Sequence, residues 1–102
     1  MESRIKAATT ANFDQILAEN PTVLVEFGAK WCQPCRAMRH VLERMATAGT
    51  VIAYVDIDDA EAVAMRFSIR GAPTFIAFQN GTESGRSSGM QTESTLARLL
   101  AR

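Results

Sequence analysis

Cys32 and Cys35, within Trp31-Cys32-Gln33-Pro34-Cys35, are the residues of this chain whose type and spacing best suit chemistry. Cysteine acts through its thiolate, either as a metal ligand or as a nucleophile. A structural zinc site needs four ligands, and the only further candidate beside the two cysteines is His40. His40 stands five residues beyond Cys35, about 140° around a helix of 3.6 residues per turn, so the three side chains do not converge. Two inert thiols in a core are the plain alternative, since cysteine often behaves as a small apolar residue. Redox chemistry fits the spacing better. On a helix, Cys35 lies one turn beyond Cys32 and can reach its sulfur, so a mixed disulfide formed by Cys32 is resolved within the chain. Two electrons move, and no cofactor is required.

That chemistry needs a scaffold, and the flanking sequence supplies one. Thr22-Val-Leu-Val-Glu-Phe-Gly28 reads as a strand buried on both faces and is the best candidate for the centre of a sheet. After the turn around Trp31, residues Met38, Val41, Leu42 and Met45 recur at helical spacing, predicting a long helix to about Ala48 with Gly49 as its stop. The cysteine pair therefore sits where the strand ends and the helix begins. Unpaired amides and the macrodipole favour an anion at a helix N-terminus, so the Cys32 thiol should ionise more readily than a free one, whose pKa is about 8.5. Pro34 suits the first turn, where its missing N–H costs nothing, and it stiffens the ring containing the two sulfurs.

Glu26 is the charge that stands out, because it lies inside the strand between apolar neighbours. A buried carboxyl without a partner has a raised pKa and marks a candidate functional site. Near the end of the strand it could sit beneath Cys35 and shuttle its proton; the alternative is a carboxylate turned to solvent or paired with a lysine. Lys30, Arg36 and Arg39 read as a solvated helix face without a catalytic role. Asp56, Asp58 and Asp59 read as strand-end and capping residues.

The remaining segments follow from hydrophobic period. Residues 4–9 carry a weak edge strand, and Thr10 is a candidate cap for a helix bearing Phe13, Ile16 and Leu17 that ends at Asn20-Pro21. Val51 to Ile57 reads as a second buried strand, followed by Asp58 or Asp59 as cap of a short helix with Val63 and Phe67. Gly71-Ala-Pro73 breaks the alternation. Thr74 to Phe78 is a further strand, and Asn80-Gly81 turns it into an antiparallel partner over residues 83–88. Thr92 or Thr95 caps a last helix bearing Leu96, Leu99 and Leu100. Strands alternating with helices predict an α/β sheet, mostly parallel with an antiparallel edge and covered on both faces.

Composition narrows the partners. The 102 residues carry 11 basic and 11 acidic side chains and are 47 % apolar, which predicts one domain over residues 1–102. Balanced charge offers no basic face for nucleic acid. The apolar stretch Val23 to Ala29 is interrupted by Glu26 and is far shorter than the roughly 20 residues that cross a bilayer. Glu2, Arg4 and Lys6 fall where a secretory signal would build its apolar region, so the expected location is cytoplasmic.

With these residues in view, the chain resembles the thioredoxin family from about residue 5 onward. The segment from Val23 through the cysteines to Arg36 looks like that family's central strand and active-site turn. Ser68-Ile-Arg-Gly-Ala-Pro-Thr-Phe looks like the segment carrying its cis-proline. The resemblance implies a thioredoxin fold, a five-stranded mixed sheet flanked by four helices, and a monomeric protein-disulfide reductase. Cys32 would be the nucleophile, Cys35 the resolving thiol and Glu26 the buried acid. Pro73 would be cis, and Ala72 would offer its backbone to an extended substrate. Trp31, Gly71, Ala72, Pro73 and Gly89 would surround an exposed sulfur as a small apolar docking surface. The implied partners are disulfide-containing proteins and an NADPH-dependent thioredoxin reductase, with no bound cofactor and no metal.

Several positions depart from the family pattern. Gln33 stands in place of a glycine between the cysteines, a position that tunes redox poise. Glu26 replaces an aspartate, Tyr54 a lysine that accompanies it, and His40 a helix-kinking proline. Without that lysine Glu26 should be harder to ionise. Gly28 lies where an aromatic residue is common, which predicts looser packing behind the site. These departures keep two alternatives open: a specialised protein with a narrow partner set, and a thioredoxin-fold binding module without turnover.

Overall fold

Five strands hydrogen-bond in the order β1-β3-β2-β4-β5, comprising β1 (Lys6–Ala8), β2 (Thr22–Gly28), β3 (Ile52–Asp56), β4 (Thr74–Gln79) and β5 (Thr82–Ser88). The computed structural model describes residues 3–101, so Glu2, used above in reading the N-terminus, lies outside them. β2 is central, as its apolar run predicts, and every residue from Val23 to Gly28 is buried. β3 is parallel to both β1 and β2, whereas β4 is antiparallel to β2 and β5 antiparallel to β4. The sheet is thus evenly mixed rather than mostly parallel. Helix α4 (Glu61–Arg66) has six residues, about 9 Å of rise, against the roughly 17 Å of a five-residue strand. It does not carry the chain back along the sheet, and β4 starts from the end at which β3 finishes.

The two faces of the sheet are separate cores, set by the period-2 alternation of the strands. Val23, Val25 and Phe27 point with Ala53, Val55, Ile76 and Phe78 toward α1 (Phe13–Glu19) and α4. Leu24 points with Ile52, Phe75 and Ala77 toward α3 (Arg39–Thr47) and α5 (Glu93–Leu100). Buried stripes meet them: Phe13, Ile16 and Leu17 on α1, Leu42, Met45 and Ala46 on α3, and Leu96 and Leu99 on α5. Glu26 and Gly28 share the face of Leu24 and so lie on the α3 side.

Local signals explain most boundaries, with corrections. Thr10 does not cap α1; instead Thr9 and Asn12 exchange hydrogen bonds, Thr9 N–H to Asn12 Oδ1 at 2.6 Å and Asn12 N–H to Thr9 Oγ1 at 3.2 Å. Neither Asp58 nor Asp59 caps α4, whose N-cap is Ala60; their backbone N–H groups both donate to the Asp56 carboxylate, forming a turn one step earlier. Thr92 is the cap of α5, accepting from Thr95 N–H at 3.1 Å. Asn80 and Gly81 both have positive φ, 52° and 81°, as a tight hairpin turn requires. The polar β5 is an edge strand whose side chains largely face solvent, which disfavours pairing with other chains.

The long helix after the cysteines is broken. α2 (Gln33–Ala37) and α3 are separated at Met38, whose ψ of −11° departs from the helical value, so the four expected helices occur as five segments. No proline is needed for the break, since position 40 is histidine. The bend lets α3 lay Leu42, Met45 and Ala46 on the sheet while α2 holds the cysteines at its edge.

Candidate active site

Cys32 is the N-cap of α2, and its sulfur accepts a hydrogen bond from Cys35 N–H at 3.1 Å. Extended backbone at Cys32 followed by Pro34 in the first turn starts the helix there. Because α2 has five residues, this single N–H, rather than a long macrodipole, is the electrostatic feature aimed at the Cys32 sulfur. The two cysteines form a disulfide with Cα atoms 5.3 Å apart. Both are buried, at 2 % and 5 % exposure. In this disulfide form the sulfur of Cys32 is therefore not the exposed atom that the resemblance implied; Ala29, Ile57 and Ala72 pack over the pair.

The Ala72–Pro73 peptide is cis. Its loop is fixed by Thr74 Oγ1 donating to Gly71 O at 2.7 Å and by Gly89 N–H donating to Pro73 O at 2.8 Å. Gly71, Ala72, Pro73 and Gly89 line one groove of ≈ 490 Å³, which also takes in Ile69 and Arg86. Ala72 joins that groove to the disulfide. Trp31 is not part of the groove. The residue is 64 % exposed, and its indole N–H donates to Asp58 Oδ2 at 2.9 Å. Nothing in the sequence marked Asp58 as its partner. Gln33 is exposed and accepts from Arg36 Nη2 at 2.8 Å, while Arg36 also donates to Lys30 O.

Behind the disulfide lies a second cavity, of ≈ 480 Å³, lined by Glu26, Ala29, Lys30, Cys35, Arg36, Arg39 and Tyr54. Glu26 is buried to 1 % exposure, and its Oε2 has no hydrogen-bond partner among the described residues. Burial pushes its carboxyl up from 4.5 to about 7, and the Arg39 guanidinium opposes the rise. Arg39 is thus not merely a solvated helix residue. It supplies the positive charge near Glu26 that a lysine at position 54 would have supplied, a role hidden by its i,i+4 spacing to Glu43. Immediately beside Gly28 the packing is close, although the cavity lies next to it. A Cβ on residue 28 would lie 2.7 Å from Tyr54 Cε1, so the phenol ring occupies the space that Gly28 leaves. His40 lines a different groove, with Glu43 and Glu93.

Comparison with known proteins decides what this arrangement is. The thioredoxin family model matches residues 4–102. The chain belongs to the thioredoxin family. It is 34 % identical over 98 residues to thioredoxin of Chlamydia caviae, covering 94 % of this chain and 95 % of the relative. It is 37 % identical over 105 aligned positions to thioredoxin C-2 of Corynebacterium nephridii, covering 98 % and 96 %. The fold superposes on thioredoxin of Fasciola hepatica with a TM-score of 0.86 at 32 % identity, covering 96 % of this chain and 98 % of the other. This member of the family is a thiol–disulfide oxidoreductase, a protein-disulfide reductase with the redox-active pair Cys32–Cys35. Its substrates are disulfide-containing. Among the described residues, no helix is long and apolar enough to cross a membrane.

Proposed function

We propose that Cys32 is the attacking thiol, Cys35 the resolving thiol and Glu26 the proton acceptor that serves Cys35, in a single thioredoxin domain over residues 1–102. The observation that carries this reading is the buried Cys32–Cys35 pair, with Cys35 N–H donated to the Cys32 sulfur and Ala72 packed against it. A thiolate at Cys32 attacks the substrate disulfide, and one substrate sulfur leaves with the electron pair and takes a proton. Cys35, its proton accepted by Glu26, then attacks Cys32, releasing the second substrate thiol and leaving the intramolecular disulfide. An NADPH-dependent thioredoxin reductase returns two electrons. Gly71, Ala72, Pro73 and Gly89 hold the substrate segment in the groove they line, and the exposed Trp31 contacts it next to Cys32; Gln33 and Pro34 shape the turn. The protein acts as a monomer in the cytoplasm.

Insulin reduction with dithiothreitol tests the assignment. Cys32→Ser removes all acceleration over dithiothreitol alone, whereas Cys35→Ser accumulates mixed disulfides with substrate. Acceleration by Cys32→Ser would reverse the assignment. A narrower partner set is favoured by one specific feature, the Tyr54 ring in place of a cationic side chain behind the pair. Efficient recycling by a generic flavin-dependent thioredoxin reductase would exclude it.

A further inference from the structure

Gly28 has no left-handed backbone that would require glycine. Its requirement is space. A Cβ on residue 28 would fall 2.9 Å from the Tyr54 hydroxyl oxygen and 3.1 Å from Cys35 Sγ, as well as against the Tyr54 ring. The hydroxyl and the sulfur therefore converge on one methyl-sized spot that Gly28 keeps clear. Strand register explains the meeting. Tyr54 on β3 is the register partner of Glu26 on β2, and Gly28, two residues beyond Glu26, shares its face. Phenol, carboxyl and sulfur line the same cavity.

We propose that Tyr54 belongs to the catalytic pair's machinery, its hydroxyl donating a hydrogen bond to Cys35 Sγ once the disulfide has opened, in the space that Gly28 provides. The inference rests on Cys35 being the resolving thiol. A disulfide sulfur is a weak acceptor, but a thiolate is an ionised one, and hydrogen bonds to ionised acceptors are the strong kind. The Tyr54 hydroxyl is a durable donor: burial first, and then the neighbouring Glu26 carboxylate, push its ionisation up to about 12, so it keeps its proton through the working pH range. In the resolving step Cys35 loses its proton to Glu26 and attacks Cys32, the bond from Cys32 to the substrate breaks, and the substrate sulfur leaves with the electron pair. Tyr54 keeps its own proton throughout and stabilises the attacking thiolate. The other charges facing this spot are Glu26 on β2, Asp56 on β3, Asp58 in the following turn, Arg39 on α3, and Lys30 and Arg36 around the active-site turn.

The test is an NMR titration of the Cys35 Cβ in the fully reduced protein, comparing wild type with Tyr54→Phe. Phenylalanine retains the ring that fills the space beside Gly28 and removes only the hydroxyl. The expected result is a rise of about one pH unit in the Cys35 midpoint, a tenfold smaller thiolate fraction at a given pH. Because Glu26 and Cys35 titrate as a coupled pair, the comparison is repeated in a Glu26→Gln background, where the same rise persists. A midpoint unmoved by Tyr54→Phe overturns the proposal. So does a rise that vanishes in Glu26→Gln, because the hydroxyl would then be acting on the carboxyl. Failure of Cys35→Ser to trap mixed disulfides overturns the underlying assignment of Cys35 instead, and the two failures are read in separate assays.

Discussion

Replacing Glu26 by glutamine should stabilise the oxidised protein at alkaline pH and leave it nearly unchanged in acid. Glu26 is 1 % exposed, its Oε2 has no hydrogen-bond partner among the described residues, and burial raises the ionisation of its carboxyl from 4.5 to about 7. Below pH 4.5 it is protonated in both folded and unfolded chains, and its neutral form is what the fold tolerates. Between 4.5 and about 7 the unfolded chain has released the proton while the folded one still holds it. The unfolded state binds fewer protons there, so stability falls as pH rises and levels off above about 7. The span from 4.5 to about 7, at 1.36 kcal/mol per pH unit, corresponds to about 3 kcal/mol. Glutamine has nearly the same shape and no charge, so the variant lacks this loss. Urea unfolding of oxidised wild type and Glu26→Gln at about pH 4 and about pH 8 isolates the effect, because every other carboxylate is common to both. The advantage of the variant should grow by about 3 kcal/mol between the two conditions, a midpoint change of roughly 1–3 M at typical urea slopes. An advantage that is the same at both pH values, within error, would refute the claim that burial governs this carboxyl.

Arg39→Met removes the charge that opposes the rise at Glu26, so the Glu26 titration followed by NMR should move above its wild-type value; a downward movement contradicts the pairing. Leu42, fully buried between α3 and the sheet, should cost about 2–5 kcal/mol as Leu42→Ala in denaturant unfolding. Thr92→Ala deletes the cap of α5 and should cost about 1 kcal/mol in the same assay, whereas Thr95→Ala, which keeps the capping oxygen, should cost less.

Periodicity located the elements because burial has a period. The stripe of Phe13, Ile16 and Leu17 and the apolar run of β2 are each dictated by the face that meets the sheet, and each appears at its expected place. The cysteine pair was legible for the same reason, since its chemistry lies in local spacing at a strand-to-helix junction. What the sequence hid is non-local. The direction of β4 depends on how far α4 travels, which residue types do not report. The break at Met38 occurs without a proline. Arg39 reads as part of a solvated helix face, and only the fold brings it close to a carboxyl thirteen residues earlier. Gly28 and Tyr54 each read as a departure from the family pattern, one suggesting a void and the other a lost cation. Together they are complementary, because parallel pairing of β2 with β3 puts the ring where the glycine lacks a side chain.

That complementarity bears on why the chain keeps an acid its fold would be more stable without. Glu26 points to the same side of β2 as Leu24, where a leucine or methionine could join the cluster of Leu42, Met45 and Leu96 without desolvating a charge. A carboxyl that ionises near neutrality exchanges its proton most effectively at working pH, which a carboxyl at its ordinary value does not. On the roles proposed above, the position beside Cys35 makes that property useful, since the resolving thiol would lose its proton into the cavity that the two residues line. Burial creates the useful ionisation and the stability loss through the same desolvation. Any change that relieves the loss, by opening the cavity or supplying Glu26 with a closer cation, should therefore also move the acid away from the pH at which the proposed transfer from Cys35 would run.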